Sequence, residues 1–398
     1  MVKKFLIPKN ADINYPIQNI QGTTTTNSWF DFQGEMQASN TVISDRTVMR
    51  CKLIKLTFND EQKKLLKEWF ALYAYTYNLT VKHLRGKTDK KSFYPVRDFI
   101  KHGFNSNIKA RIAACKVPSH KLDNAVKDVI TAYKSSFALH KGKKKFRIRF
   151  KKANAGKMLT LEASAFSKAK NSFSQKMGVV VSDIPIRGIL HDSKLVLRNG
   201  KYMLFIPENR LMKACTTKNK CISLDPGLRT FQTGYCDDGK VFKIGNNFIS
   251  EIGALAKKIN NNKPKKFNIR IRDKIKHKVD DMHWKTANML CKMTDKILLG
   301  NISTASILQG NLSKFLKPLF QTLSHYTFSE RLQSKCEEYR VEYARVDESY
   351  TSKTCGGCSA LNETLGASKV FTCSKCSFTI DRDVNGARNI MIKNSKKL

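Results

Sequence analysis

Four cysteines in the C-terminal part of the chain have metal-site spacing: Cys355-x2-Cys358, fourteen intervening residues, then Cys373-x2-Cys376. Two such knuckles can aim four thiolates at one tetrahedral zinc ion. Four thiolates leave no open coordination position, so this zinc is expected to be structural. A disulfide pair or a redox dithiol accounts poorly for two matched pairs. The remaining seven of eleven cysteines are scattered, Cys215 and Cys221 among them, and read as reduced thiols of an intracellular chain.

Carboxylates offer a second chemistry. Asp225 ends the apolar run CISLDPG, and Asp383 stands at the start of DVNGARNIMIK, with Asp381 as a nearby competitor. Magnesium prefers hard oxygen ligands such as these. Two such ions, about 3.5–4 Å apart, can stabilise the attacking and leaving oxygens of phosphodiester hydrolysis. A lone aspartate at a strand end is more often a turn or cap residue. The order of the surrounding elements changes the weighing.

From residue 220 the pattern predicts a strand ending at Asp225, then the strands TFQTGYC and KVFKIG joined by the turn Asp237-Asp238-Gly239. A long helix follows over about 268–294, with Ile271, Ile275, Val279, Met282 and Met289 as its buried stripe. Then come the strand KILLGN, a helix ending near Tyr339, the strand RVEYARV, the cysteine knuckles and a closing helix from about 383. Strand with Asp, hairpin, helix, strand, strand, ribbon, Asp with helix is the order of an RNase H-like fold, in which the two aspartates meet. His277 and His283, on the long helix, read as structural or phosphate-contacting, since a hard-ion site already has carboxylates.

The N-terminal half reads differently. Residues 1–46 look like a loosely packed extension. VMRCKLIKLTF alternates like a strand, and Asn59 or Asp60 then caps a helix reaching about residue 84, with Leu66, Trp69, Phe70, Tyr73 and Tyr77 in its stripe. A second helix follows VPSH, with Ser119 as the expected N-cap. Short strands are expected over 178–207, with a hairpin turn at RNGKY.

Charge points to the partner. The 398 residues carry 73 Lys+Arg against 32 Asp+Glu, a formal net charge of +41. Solubility needs only about 2–8 charges on a small domain, so a polyanion is the expected partner. The densest run is KGKKKFRIRFKK, whose Phe146, Ile148 and Phe150 alternate with Arg147 and Arg149. It is expected to be a strand with a cationic face, tracking phosphates through Lys141, Lys143, Lys144, Lys145, Arg147, Arg149, Lys151 and Lys152. Arg270, Arg272 and Lys276 on the long helix are expected to add to it. No apolar run is long enough for a membrane span.

ISLDPGLRTFQTGY, DESYTSKTCGGC, LGASKVFTCSKC and DRDVNGARNIMIK together strongly resemble Fanzor proteins, the eukaryotic and viral relatives of TnpB. VPSHKLDNAVKDVITAYKSSF followed by KKKFRIRFKK is similar to that family's recognition and wedge regions. The resemblance spans about 48–398. It implies an α/β multidomain protein: a RuvC (RNase H-like) nuclease domain with an inserted zinc ribbon, plus a β-barrel-like wedge domain with an inserted helical recognition domain. The expected boundaries are 47–58 and 141–215 for the wedge, 59–140 for the helical domain, 216–354 and 377–398 for the nuclease domain, and 355–376 for the ribbon. The implied activity is RNA-guided cleavage of double-stranded DNA by a monomer, with an omega-RNA-like guide, two Mg²⁺ and a nuclear site of action. Asp225 and Asp383 match the family's first and last catalytic aspartates.

One position departs from the TnpB pattern. The middle glutamate normally follows the fourth strand, yet residues 296–329 contain no Asp or Glu. Glu348, after the neighbouring strand, is the expected substitute, with Asp347 facing away. The plain alternative is that Glu348 only caps the loop into the ribbon. Two other functions stay open at this level: a guide-dependent DNA-binding protein without cleavage, and a zinc-ribbon transcription or ribosomal factor.

Overall fold

The computed structural model describes residues 47–85, 92–140, 146–152, 157–213, 219–310, 312–363, 365–366 and 368–394. The N-terminal extension, Cys215 and the basic residues Lys141, Lys143, Lys144 and Lys145 lie outside the described residues. The chain divides into two compact units, Met49–Arg210 and Leu211–Leu398, the boundary before the first falling after Val48, inside the first strand.

In the first unit, β1 (Thr47–Thr57) leads into α1 (Asp60–Leu84). Asn59 caps that helix in a reciprocal box: its side chain accepts from Gln62 N–H, and the Gln62 side chain accepts from Asn59 N–H. The helices α2 (Phe93–His102), α3 (Ser106–Ala114) and α4 (Ser119–His140) follow. Ser119 is the first residue of α4 and not its cap. The strands β2 (Lys157–Leu161), β3 (Val181–Ser182), β4 (Ser193–Arg198) and β5 (Lys201–Leu211) then complete a sheet ordered β2-β4-β5-β1-β3. Asn199 and Gly200 turn β4 into β5 with φ of +51° and +75°, as a two-residue hairpin requires. Among the described residues no strand pairing closes this sheet into a barrel. Ile54, Trp69, Val129, Leu159 and Leu204 belong to one buried cluster, so the sheet and the helices share a core.

The strand expected over Phe146–Phe150 does not form. The segment joins no sheet. At its end Asn78 pairs with the backbone: its amide accepts from Lys151 N–H at 2.8 Å and donates to Lys151 C=O at 3.0 Å. One side-chain amide thus replaces a neighbouring strand at a single residue. Phe146 and Ile148 still pack inward, and Arg147 and Arg149 still face outward.

The second unit opens with β6 (Ile222–Pro226), β7 (Gln232–Cys236) and β8 (Val241–Ile244). Next come α5 (Phe248–Ala256), α6 (Lys265–Cys291), β9 (Lys296–Gly300), α7 (Thr304–Gln309), α8 (Leu316–Leu323), α9 (His325–Tyr339) and β10 (Glu342–Val346). A small hairpin of β11 (Val370–Thr372) and β12 (Thr379–Asp381) runs directly into α10 (Arg382–Asn394). The main sheet is ordered β10-β9-β6-β7-β8. β6, β7 and β8 pair antiparallel, while β9 is parallel to both β6 and β10. All five residues of β9 are buried, because both sheet faces are covered. Leu224 and Ile297 meet Val279, Met282 and Leu290 of α6 in the larger core. On the opposite face, Leu298 and Val346 pack with Ile390 and Met391 of α10.

Candidate active site

The parallel pairing of β6, β9 and β10 brings their carboxyl ends to one edge of the sheet. Open α/β sheets place ligands at that edge. Asp225 sits at the end of β6, Gly300 ends β9, and Glu348 lies two residues beyond β10. Val346 pairs with Gly300, which brings the chain after β10 beside the end of β9.

Asp383 arrives from α10, in its first turn. The helix can approach β6 closely because residue 386 is glycine: a Cβ there would stand 2.5 Å from Asp225 Oδ2. Ser223 Oγ also donates to Ala387 C=O at 2.7 Å and anchors α10 along the strand. A Cβ on Gly300 would stand 2.5 Å from Glu348 Oε2. The two glycines thus leave room for the carboxylates of Asp225 and Glu348.

The three carboxylates are half-buried, and their electrostatics are those of a cluster. Burial, then the neighbouring charges of Glu348 and Asp383, push Asp225 well above the usual carboxylate range. Burial and then Asp347 push Glu348 up to about 7. Burial and then Asp381 raise Asp383, against the pull of Lys243, Arg382 and Arg229. Glu348 Oε2 is buried with no hydrogen-bond partner among the described residues. A buried, unpaired carboxylate oxygen beside a second carboxylate is costly unless a cation or proton fills the gap.

The nearby acids do other work. Asp381 Oδ1 accepts from the N–H groups of Asp383 at 2.9 Å and Val384 at 3.2 Å, so it caps α10. Its Oδ2 pairs with Lys243 at 2.8 Å. Asp347 turns to Lys393 Nζ at 2.6 Å and to Ser349, which hold its carboxyl down to about 2.

Two asparagines without an expected role tie the site together. Asn385 Nδ2 donates to Thr354 C=O at 2.7 Å, while its Oδ1 accepts from Gly356 N–H at 3.1 Å. Asn389 Nδ2 donates to the carbonyls of Thr351 and Thr354 at 2.8 and 2.7 Å. One face of α10 therefore grips the loop between Glu348 and the first knuckle. The available signal was the i, i+4 spacing of two asparagines around Gly386 in DVNGARN.

The four knuckle cysteines converge. Their sulfurs lie within 4.8 Å of one another, with Cys355–Cys376 at 3.7 Å and Cys358–Cys373 at 3.6 Å. A tetrahedron with metal–sulfur bonds of ~2.3 Å has edges of ~3.8 Å. Backbone N–H groups of Gly357 and Cys358 point at the Cys355 sulfur, as they do in a thiolate knuckle. At Cys373, burial opposes ionisation, but N–H groups of Cys376 and Lys375 hold the thiol down to about 6. The four residues could hold one zinc ion. Phe371, fully buried, packs with Val384 and Val241 beneath them.

The remaining expected site residues fall elsewhere. Arg147, Arg149, Lys152, Arg270 and Arg272 are exposed. Lys276 pairs with Asp280 on its own helix. Lys151 turns inward, its Nζ 4.7 and 4.3 Å from the ring centres of Tyr73 and Tyr77, and burial lowers it to about 8. It is not positioned as an outward phosphate contact. His283 is buried, donates from Nε2 to Leu323 C=O at 2.9 Å, and accepts from Arg331 at 3.1 Å. Burial and then Arg331 drive its pKa down to about 3. His277 is exposed on α6.

Comparison with known proteins bears on these features. A family model described as "Cas12f1-like, TNB domain" matches residues 325–390, the span from α9 through the knuckles into α10. The chain is 27% identical over 390 residues to TnpB-like protein L79 of Acanthamoeba polyphaga mimivirus, covering 85% of this chain and 72% of that one. It is 28% identical over 387 residues to TnpB-like protein L770 of the same virus, with coverage of 85% and 72%. The chain is similar to TnpB-like proteins over most of its length. Over 130 residues this TnpB-like chain is also 26% identical to the CRISPR-associated endodeoxyribonuclease Cas12f1 of Sulfoacidibacillus thermotolerans, covering 32% of the chain and 30% of that protein. The cryo-EM structure of a Cas12f1–sgRNA–target DNA complex aligns over 86% of the chain with a TM-score of 0.34 and 14% identity. A likeness that loose carries no argument, and the fold of this TnpB-like chain rests on its own strand order.

Proposed function

We propose that this TnpB-like chain is an RNA-guided DNA endonuclease of the Fanzor group, with an RNase H-like catalytic unit over about 216–354 and 377–398. The observation that carries the reading is the convergence of Asp225, Glu348 and Asp383 at the carboxyl edge of one sheet. The name of one relative supports the substrate class, since Cas12f1 is an endodeoxyribonuclease.

The residues fit divalent magnesium. Glu348 Oε2 is buried without a partner, the glycines at 300 and 386 keep space for the carboxylates, and all three donors are hard oxygens. Two Mg²⁺ would be held by Asp225, Glu348 and Asp383, and when bound would supply Lewis-acid stabilisation to both oxygens of the displacement. The protein's own part is positional. β6 fixes Asp225, the loop after β10 fixes Glu348, and α10, tied by Asn385 and Asn389, fixes Asp383. A zinc ion in the cysteine knuckles would tie down the loop between Glu348 and Asp383 without doing chemistry. Arg147, Arg149, Lys152, Arg270 and Arg272 supply phosphate contacts to the guide and its heteroduplex, while base pairing selects the sequence.

The decisive experiment is guided cleavage of a matched duplex with Mg²⁺, with wild type, Asp225→Ala and Glu348→Gln compared. Wild type should cut, and both variants should bind target but lose cleavage by at least about 10²-fold. The missing carboxylate over 296–329 favours one other reading, a guided binder that does not cut. Intact binding with no cleavage by wild type would establish that reading instead.

A further inference from the structure

Tyr350 occupies a position that its own backbone disfavours. It is the third residue of the turn 348–351, which Thr351 closes by donating its N–H to Glu348 C=O at 3.1 Å. Its φ is +65°. Positive φ at this place in a turn ordinarily goes to glycine or asparagine, and a bulky residue there is an outlier. The conformation is enforced from outside the ring: Tyr350 C=O accepts from the N–H groups of Lys353 and Thr354 and from Thr354 Oγ1, at 3.0, 3.0 and 2.9 Å.

The ring is largely open to solvent. It is 54% exposed. Most other exposed aromatic rings among the described residues lie against a cation or another ring: Phe150 under Arg85, Trp284 under Arg331, Tyr326 under Arg345, Phe99 against His83. Among the described residues, Tyr350 has no such partner. For stability alone, glycine would serve better at this turn. The turn is also the one that presents Glu348, so the bare ring stands two residues from a carboxylate of the site.

We propose that Tyr350 is a base-stacking residue. Its ring supports a nucleobase of the strand to be cut, next to the scissile phosphate, and so seats that phosphate against the carboxylates. A flat, sequence-tolerant aromatic face suits a nuclease whose sequence choice is made elsewhere. The inference rests on the nuclease reading given above.

The test uses the full chain loaded with guide RNA, comparing Tyr350→Gly and Tyr350→Phe with wild type. Substrates carry one abasic nucleotide, moved stepwise across the cut site. Tyr350→Gly should melt no lower than wild type, because it relieves the positive φ, yet cut roughly ten- to hundredfold more slowly. Tyr350→Phe keeps the ring and should recover that loss. One abasic position should slow wild type by a similar factor and leave Tyr350→Gly no slower than before. A wild-type cleavage rate in Tyr350→Gly overturns the proposal. So does a slow Tyr350→Gly whose melting temperature falls and to which every abasic position adds. Anisotropy of a short fluorescent single strand separates this inference from its premise. If wild type cuts nothing but Tyr350→Gly still weakens that binding roughly tenfold, the nuclease reading fails and stacking stands. Equal binding with no cutting sinks both.

Discussion

The end of β9 and the carboxylate of Glu348 compete for one volume. A Cβ built on Gly300 lies 2.5 Å from Glu348 Oε2, and 3.1 Å from Ile390 Cδ1 and Pro226 Cδ. Glycine ends β9, and the carboxylate of Glu348 reaches from beyond the next strand into the space that a side chain there would take.

Gly300→Ala should therefore disturb function more than folding. Overpacking of this kind costs about 1–3 kcal/mol, while the displaced Glu348 should lower guided cleavage at least tenfold. Urea midpoints and single-turnover rates read the two effects separately. A variant that cuts normally would mean that Glu348 is not a ligand.

The metal-free site should show its strain in a pH profile. A carboxyl whose folded pKa is raised holds its proton more tightly when folded, so stability falls as pH rises from the ordinary 4.5 through about 7 for Glu348. In EDTA the melting temperature should drop across that window by about 2–4 °C. Glu348→Gln should flatten the fall, and excess Mg²⁺ should reverse it. An identical slope in Glu348→Gln would remove Glu348 as its origin.

Asn389→Ala should loosen the loop rather than the helix. It deletes the Nδ2 donor shared by the Thr351 and Thr354 carbonyls, a loss of about 1–3 kcal/mol. Hydrogen exchange should rise over 349–356 and stay unchanged in β6, and cleavage should fall. Unaltered exchange in that loop would count against the tether.

Removing zinc should act at a distance. Purified protein is expected to hold one zinc per chain. Its removal by chelation, or Cys373→Ser, should lower cleavage while guide RNA binding persists. Zinc-free protein that cuts at the wild-type rate would show that the knuckles do not position the carboxylates.

Much of the second unit was legible because its signals are local and redundant. Apolar runs such as KILLG are short, bounded, and buried on both faces, and Asp225, Glu348 and Asp383 each sit at an element boundary. The ribbon was legible because metal spacing has few other uses. What escaped depends on tertiary partners. The alternation of Phe146–Phe150 has the period of a strand, but the partner waiting at Lys151 is the Asn78 side chain, which no pattern in the run itself specifies. Lys151 looked like one more outward cation, and only the rings of Tyr73 and Tyr77 show why it turns in. The helices α2 and α3 are short and bury few residues, Val96 and Ile100 in one and Ile108 in the other. Asn385 and Asn389 look solvated until the loop they hold is in place.

The junction of β12 and α10 has no linker. Asp381 ends the strand, Arg382 begins the helix, and the Asp381 carboxylate joins both to Lys243 on β8. The ribbon is accordingly not a detachable cassette. Anyone recombining it between relatives must carry the seam at 381–383 intact, because slipping the graft by a single residue turns Asp383 by about 100° around its helix and away from Asp225.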